Sequence, residues 1–328
     1  MHKYLFLLIL LCGNAFSMGN IVDTAFVIEA QKRGAIIWDV RSAAEFQKGH
    51  IPGAFNIGAA AQALRDPNTE DFKPVAEIEK TLGAAGLDPS KEIVVYSSRG
   101  DANAYFGLYT IAYFGGKLGS VYHDGIDGWR ASGLEISTVA AKPVPVALKL
   151  TPNPAVSVDT PQMLHARNQG VQIVDARSVP EFKGNDIRAV RGGHIPGAIN
   201  IPYEQNWVDP DTVGKLARKQ VADNTGMSLK PMQELKKLYA ALDPEKETIV
   251  YCQSGTRASE TAVVLSQLGF KNVKVYEPSW LGYAAVLSAP ANNETFFNVG
   301  ALNTRLSAMQ QRIEHLEREL AAEKARKP

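Results

Sequence analysis

The residues best placed to do chemistry are Cys252-Gln253-Ser254-Gly255-Thr256-Arg257, lying between an apolar run, Thr248–Tyr251, and a helical one, Ala258–Leu268. A short glycine-containing loop from a strand into a helix turns successive backbone N–H groups inward as an anion nest. The helix start adds partial positive charge and Arg257 a full one, and both favour thiolate over thiol. A pocket that holds a thiolate also suits an anionic substrate, and Arg257 can grip an oxyanion with two N–H groups. Inert burial is the commoner fate of a free cysteine. Here, however, the neighbours are Gln, Ser, Gly, Thr and Arg, which do not pack a core. Gln253, Ser254, Gly255 and Thr256 are therefore expected to line a substrate site with Arg257. No His or carboxylate stands at ligand spacing from Cys252, so no metal is expected.

A second loop provides an internal control. Ser97-Ser98-Arg99-Gly100-Asp101-Ala102 follows Ile93-Val94-Val95-Tyr96 just as the cysteine loop follows its own strand. Serine replaces the cysteine, alanine replaces the arginine, and Asp101 would repel an anion. This copy is expected to be catalytically silent. Without a G-x-S-x-G turn around Ser97, a serine hydrolase is not indicated.

The two loops belong to a tandem repeat with a period of about 150 residues, the size of a domain rather than of a solenoid unit. Asp39-Val40-Arg41-Ser42 with Glu45-Phe46 returns as Asp175-Ala176-Arg177-Ser178 with Glu181-Phe182. Gly49-His50-Ile51-Pro52-Gly53-Ala54 returns as Gly193-His194-Ile195-Pro196-Gly197-Ala198. Because the silent copy keeps them, His50, His194 and the Asp–Arg–Glu sets are expected to be scaffold. The second copy alone carries an insertion of about eight residues between Phe182 and Gly193. It includes Arg188 and Arg191, both candidates for the pocket wall. Short apolar strands alternating with helices imply an α/β fold with parallel sheets covered on both faces.

The 328 residues fit a prior of two domains, and 45% hydrophobic content with 27 Gly and 18 Pro is that of an ordinary globular chain. A net charge of +1 argues against a nucleic-acid partner, and two cysteines exclude a disulfide scaffold. Met1-His2-Lys3, the apolar run Tyr4–Cys12 and Ala15-Phe16-Ser17 read as a cleavable signal peptide over 1–17, too short to span a bilayer. The expected location is periplasmic or secreted, with no membrane span after cleavage and Cys252 as the remaining thiol. Proline-rich residues 142–155 read as a linker between domains at 21–141 and 156–292. Over 298–326, Val299, Leu302, Leu306, Met309, Ile313, Leu316 and Leu320 alternate spacings of three and four, a heptad seam. That seam is expected to form a coiled coil, a homotrimer first and a dimer second.

In combination, the D-x-R-x-x-x-E-F segments, the G-H-I-P-G-A turns and the strand–Cys-loop–helix resemble the rhodanese sulfurtransferase superfamily. The resemblance runs over about residues 21–290, to the tandem-domain, exported bacterial type. It implies two tandem rhodanese-like domains, each a parallel sheet flanked by helices, with the catalytic cysteine in the second. It further implies that Cys252 takes a sulfane sulfur from a small anionic donor, becomes a persulfide, and passes the sulfur to cyanide or a thiol, with no cofactor.

In such tandem members an arginine upstream of G-H-I-P-G-A contacts the donor, a position that maps to Arg191. The family's thiosulfate loop is C-R-K-G-V-T and its 3-mercaptopyruvate loop C-G-S-G-V-T. Gln253 lacks the cation of the first, Ser254-Gly255 resembles the second, and Arg257 matches neither. Thiosulfate is the first expectation and 3-mercaptopyruvate the alternative. A non-enzymatic sulfur carrier or assembly scaffold is the reading from another class. A cysteine phosphatase would need C-x5-R, but Cys252 to Arg257 is C-x4-R, with Tyr251 where that signature has His.

Overall fold

The computed structural model describes residues 18–326, so the expected signal peptide at 1–17, with Cys12, lies outside the described residues. The first domain carries strands β1 (Asn20–Val22), β2 (Ile36–Asp39), β3 (Phe55–Asn56), β4 (Ile93–Tyr96) and β5 (Gly119–Tyr122). The second carries β6 (Ser157–Val158), β7 (Gln172–Asp175), β8 (Arg191–His194), β9 (Ile199–Asn200), β10 (Thr248–Tyr251), β11 (Val273–Tyr276) and β12 (Asn292–Phe296). The main sheets have the orders β1-β5-β4-β2-β3 and β6-β11-β10-β7-β9, the same topology twice. All pairs within them are parallel. β4 and β10 are four-residue strands buried at every position, which is why they read as continuous apolar runs rather than alternating ones.

Each sheet has a core of its own on one face, around Trp129 in the first domain and Trp280 in the second. The opposite faces share one larger cluster that joins Trp38, Phe106 and Leu108 to Val250, Val263 and Leu265. At its centre the equivalent helices Ala102–Tyr113 and Thr256–Gln267 pack against one another. The first domain is thus fused to the second through a common core, not tethered by a linker. The linker itself runs along the first domain, where Val146 N–H bonds the Gly83 carbonyl.

The scaffold residues that the repeat singled out behave alike in both domains. Arg41 pairs with Asp39 and Arg177 with Asp175, both at 2.6 Å and buried. His50 stacks on Phe46 with ring centroids 3.7 Å apart, and His194 on Phe182 at 3.6 Å. Each Nδ1 is 2.8 Å from the carbonyl of the same phenylalanine.

One boundary moves. The second domain does not end at 292, because Asn292–Phe296 is β12, paired antiparallel with β8. Helix Val299–Arg326 then stands clear, with all seven seam residues exposed. No helix among the described residues is long and apolar enough to cross a membrane.

Candidate active site

Cys252 leaves the carboxyl end of β10, a central strand, where an open parallel sheet offers its crevice. Its loop is pinned from behind: Cys252 N–H donates to Ser279 Oγ at 3.2 Å, and Trp280 N–H to the Cys252 carbonyl at 3.0 Å. Gly255 then adopts φ +87°, a left-handed conformation that glycine accommodates without strain. This turn aims the Gly255 N–H at Cys252 Sγ, 3.2 Å away. No side chain caps helix Thr256–Gln267. Its positive end therefore faces the buried sulfur, as an anion nest requires.

The equivalent loop of the first domain enters its helix one position later, at Ala102, and has opposite electrostatics. Asp101 caps helix Ala102–Tyr113 by accepting from Asn103 N–H at 3.0 Å, and accepts the Ser97 hydroxyl at 2.5 Å. A built-in carboxylate thus stands where the cysteine loop could hold an anion. Gly100 N–H turns instead to the His123 carbonyl at 3.3 Å.

Arg257 lies beside the nest, one side of its guanidinium forked onto Glu181, with Nη1 to Oε2 at 2.7 Å and Nη2 to Oε1 at 2.8 Å. Burial works against the Arg257 charge, but the Glu181 hydrogen bonds and the nearby Cys252 sulfur hold its pKa above the ordinary value. Burial alone would likewise raise the Glu181 carboxyl, yet Arg257 first and then Ser178 hold it down to about 2. Glu204 completes this wall; burial pushes its carboxyl up, with the charge of Arg257 opposing. Glu181 was expected to be mainly scaffold. Its repeat mate Glu45 is exposed and does no more than close a capping box with Ser42. The signal that separates the two lies elsewhere in the sequence, in Arg257 against Ala102.

The insertion unique to this domain docks on the loop, the Gln253 amide donating to the Arg188 carbonyl at 2.5 Å. The Arg188 guanidinium is half exposed, with Nη1 3.3 Å from Glu181 Oε1, so it sits at the mouth of the same cluster. Arg191 does not. Its Nη1 pairs with Glu294 of β12 and its Nη2 donates to the Val286 carbonyl at 2.8 Å. The expected pocket residue is instead a buried post that ties β8 to β12 and to the end of helix Ser279–Ala285. The β12 strand that supplies its partner was not foreseen, and neither was this role.

The first domain contributes directly. Arg65 donates through Nη1 to the Ser254 carbonyl and lies with Nη2 3.0 Å from Glu277 Oε1. A cavity of about 290 Å³ opens beside Thr256, walled by Ala61, Gln62, Arg65, Asp66, Pro67 and Glu70 of the first domain. One turn into helix Thr256–Gln267, Glu260 is fully buried, its carboxyl pushed well up by burial and its Oε1 accepting from Trp207 Nε1 at 3.1 Å. Among the described residues, no group of three His, Cys, Asp or Glu side chains could hold a metal ion.

The chain matches the family described as rhodanese-like domain twice, over residues 24–132 and 160–285. It is 32% identical over 255 residues to the thiosulfate sulfurtransferase of Corynebacterium glutamicum, covering 74% of this chain and 79% of that protein. To the thiosulfate sulfurtransferase of Azotobacter vinelandii it is 30% identical over 248 residues, covering 75% and 86%. Among solved structures it is similar to the anaerobic ergothioneine biosynthesis enzyme from Chlorobium limicola, with a TM-score of 0.70 over 83% of this chain and 70% of that one. At 21% identity that likeness shows the fold alone.

Proposed function

The chain belongs to the rhodanese-like family, and on that premise we propose that it is a thiosulfate sulfurtransferase working through a persulfide on Cys252. The observation that carries the reading is the Gly255 N–H aimed at Cys252 Sγ from the uncapped start of a helix. In the first half-reaction the thiolate attacks the outer sulfur of thiosulfate. The Sγ–S bond forms, the S–S bond of the donor breaks, and its electron pair leaves on sulfite. In the second half-reaction cyanide or a thiolate attacks the outer sulfur of the persulfide and the Cys252 thiolate is regenerated. Charge that leaves one sulfur for another stays among the same fixed N–H groups, which need no reorganisation.

The names of the relatives favour thiosulfate over 3-mercaptopyruvate. Arg257 and Arg188 at the mouth suit a dianion, with Gln253, Ser254, Gly255 and Thr256 forming the cradle. The same proposal includes export to an oxidising compartment, supported by the apolar run at 4–12, and self-association of three chains through 298–326.

Intact-mass measurement after incubation with each donor tests the reading. Thiosulfate is expected to leave one extra sulfur on the parent protein and none on Cys252→Ser, with thiocyanate appearing when cyanide is added. Loading from 3-mercaptopyruvate alone would transfer the assignment to that donor. A loaded protein that never turns over would make it a sulfur carrier.

A further inference from the structure

We propose that Arg65, from the silent domain, is a positioning residue that sets the Ser254–Gly255 peptide plane and thereby aims the catalytic N–H at Cys252. Among the described residues there are no cis peptide bonds, so the Ser254 carbonyl and the Gly255 N–H point in opposite directions across one rigid plane. Arg65 Nη1 holds the oxygen of that plane, and the hydrogen on its other side meets Cys252 Sγ. A grip on one end therefore fixes the other.

The grip is itself built to stay. Arg65 is only 5% exposed, its guanidinium carbon 4.4 Å from the centre of the Phe106 ring, and it is ion-paired with Glu277. Glu277 follows β11, the strand beside β10, so the clamp links the first domain to two neighbouring strand ends of the second. Space is matched as well as charge. A Cβ on Gly255 would lie 3.0 Å from Arg65 Nη2, so this arginine and this glycine are packed as a pair.

The silent loop shows the alternative. Where Arg65 meets Gly255, the apolar Met227 meets Gly100, its side chain 2.7 Å from where a Cβ would be. With no cation on that loop's carbonyl, the Gly100 N–H bonds the His123 carbonyl rather than the Ser97 side chain. The two equivalent loops thus differ in the aim of one N–H, and the clamped one has it on the sulfur. This explains why a domain without a nucleophile would be retained: it supplies half of the nest's geometry.

The inference rests on Cys252 as the sulfur-accepting nucleophile, and alkylation by iodoacetamide reads the thiol without any sulfur donor. Arg65→Met keeps the stem over Phe106 and removes the cation. It is expected to slow alkylation near pH 6 about tenfold, the worth of one hydrogen bond to an anion, and to move the acid limb of the rate profile upward. Arg65→Lys should fall between the two. A folded Arg65→Met protein with the parent's alkylation profile overturns the proposal, even if its melting temperature falls. Should Arg65→Met not fold, Arg65→Lys decides, since a parent-like profile there overturns it as well. A parent protein that alkylates normally but never takes sulfur would sink the sulfurtransferase reading while leaving this test intact.

Discussion

Arg257 and Glu181 face each other fork to fork, 76 residues apart in the chain, with both terminal nitrogens of one on both oxygens of the other. The cation beside the nest is therefore held in one plane by a buried carboxylate before any substrate arrives. Its contribution is therefore geometric as well as electrostatic. A freely rotating charge could not reproduce that.

Arg257→Lys is accordingly not conservative. Lysine keeps the charge but cannot satisfy two carboxylate oxygens in one plane while reaching an anion. Its kcat/KM with thiosulfate is expected to fall about tenfold, most of it in KM, and Arg257→Ala should fall further. Steady-state kinetics of the two variants checks this. A lysine variant equal to the parent would mean that charge alone matters at this position.

Glu181 makes the pair a stability element with a defined pH window. Its folded carboxyl sits at about 2, below the ordinary value of 4.5, because Arg257 and Ser178 outweigh burial. A depressed carboxyl stabilises the fold above its unfolded pKa and loses that contribution as pH falls through the folded one. Glu181→Gln should therefore lower the melting temperature at pH 7, by a few kcal/mol of stability for a broken buried pair. The gap to the parent should close between about pH 4.5 and 2. Melting curves across that range test the sign, and a constant gap would contradict it.

Ser97→Cys should not create a second sulfur site. The Asp101 carboxylate stands 2.5 Å from the Ser97 oxygen, and the Gly100 N–H is turned to His123. A thiolate there would face a fixed negative charge with no N–H aimed at it. Intact mass after thiosulfate is expected to show one added sulfur per chain in this variant, as in the parent. Two would show that the loop path alone suffices.

Much of this was legible because the chain states its scaffold twice. The repeat located the domains, the loops and the structural histidines, and the one copy-specific cysteine located the candidate nucleophile. Arg257 against Ala102 was visible too, but not its consequence for Glu181, which looks like Glu45 until the two are seen buried and exposed. Arg65 to Ser254 spans 189 residues and Arg191 to Glu294 spans 103, and no periodicity or local motif reports such pairings. Arg191 was misplaced for that reason. Its family position suggested a donor contact, while the polar run Asn292-Asn293-Glu294-Thr295 gave no sign of being the strand that claims it.

That strand decides where the C-terminal helix can be cut. The seam from Val299 to Leu320 is exposed along a helix of 28 residues, roughly 42 Å, that stands away from both domains. Removing everything after Asn298 leaves β12 paired with β8 and Arg191 paired with Glu294. Light scattering is expected to find a trimer for the parent and a monomer for this truncation, with sulfur transfer per chain unchanged. Removing everything after Ala291 instead strips the carboxylate from a buried arginine, at a cost of about 3–5 kcal/mol. That shorter form should melt far earlier or fail to fold, for a reason unrelated to assembly. A parent protein that is already monomeric would leave the heptad seam without its proposed partner, whatever the second truncation does.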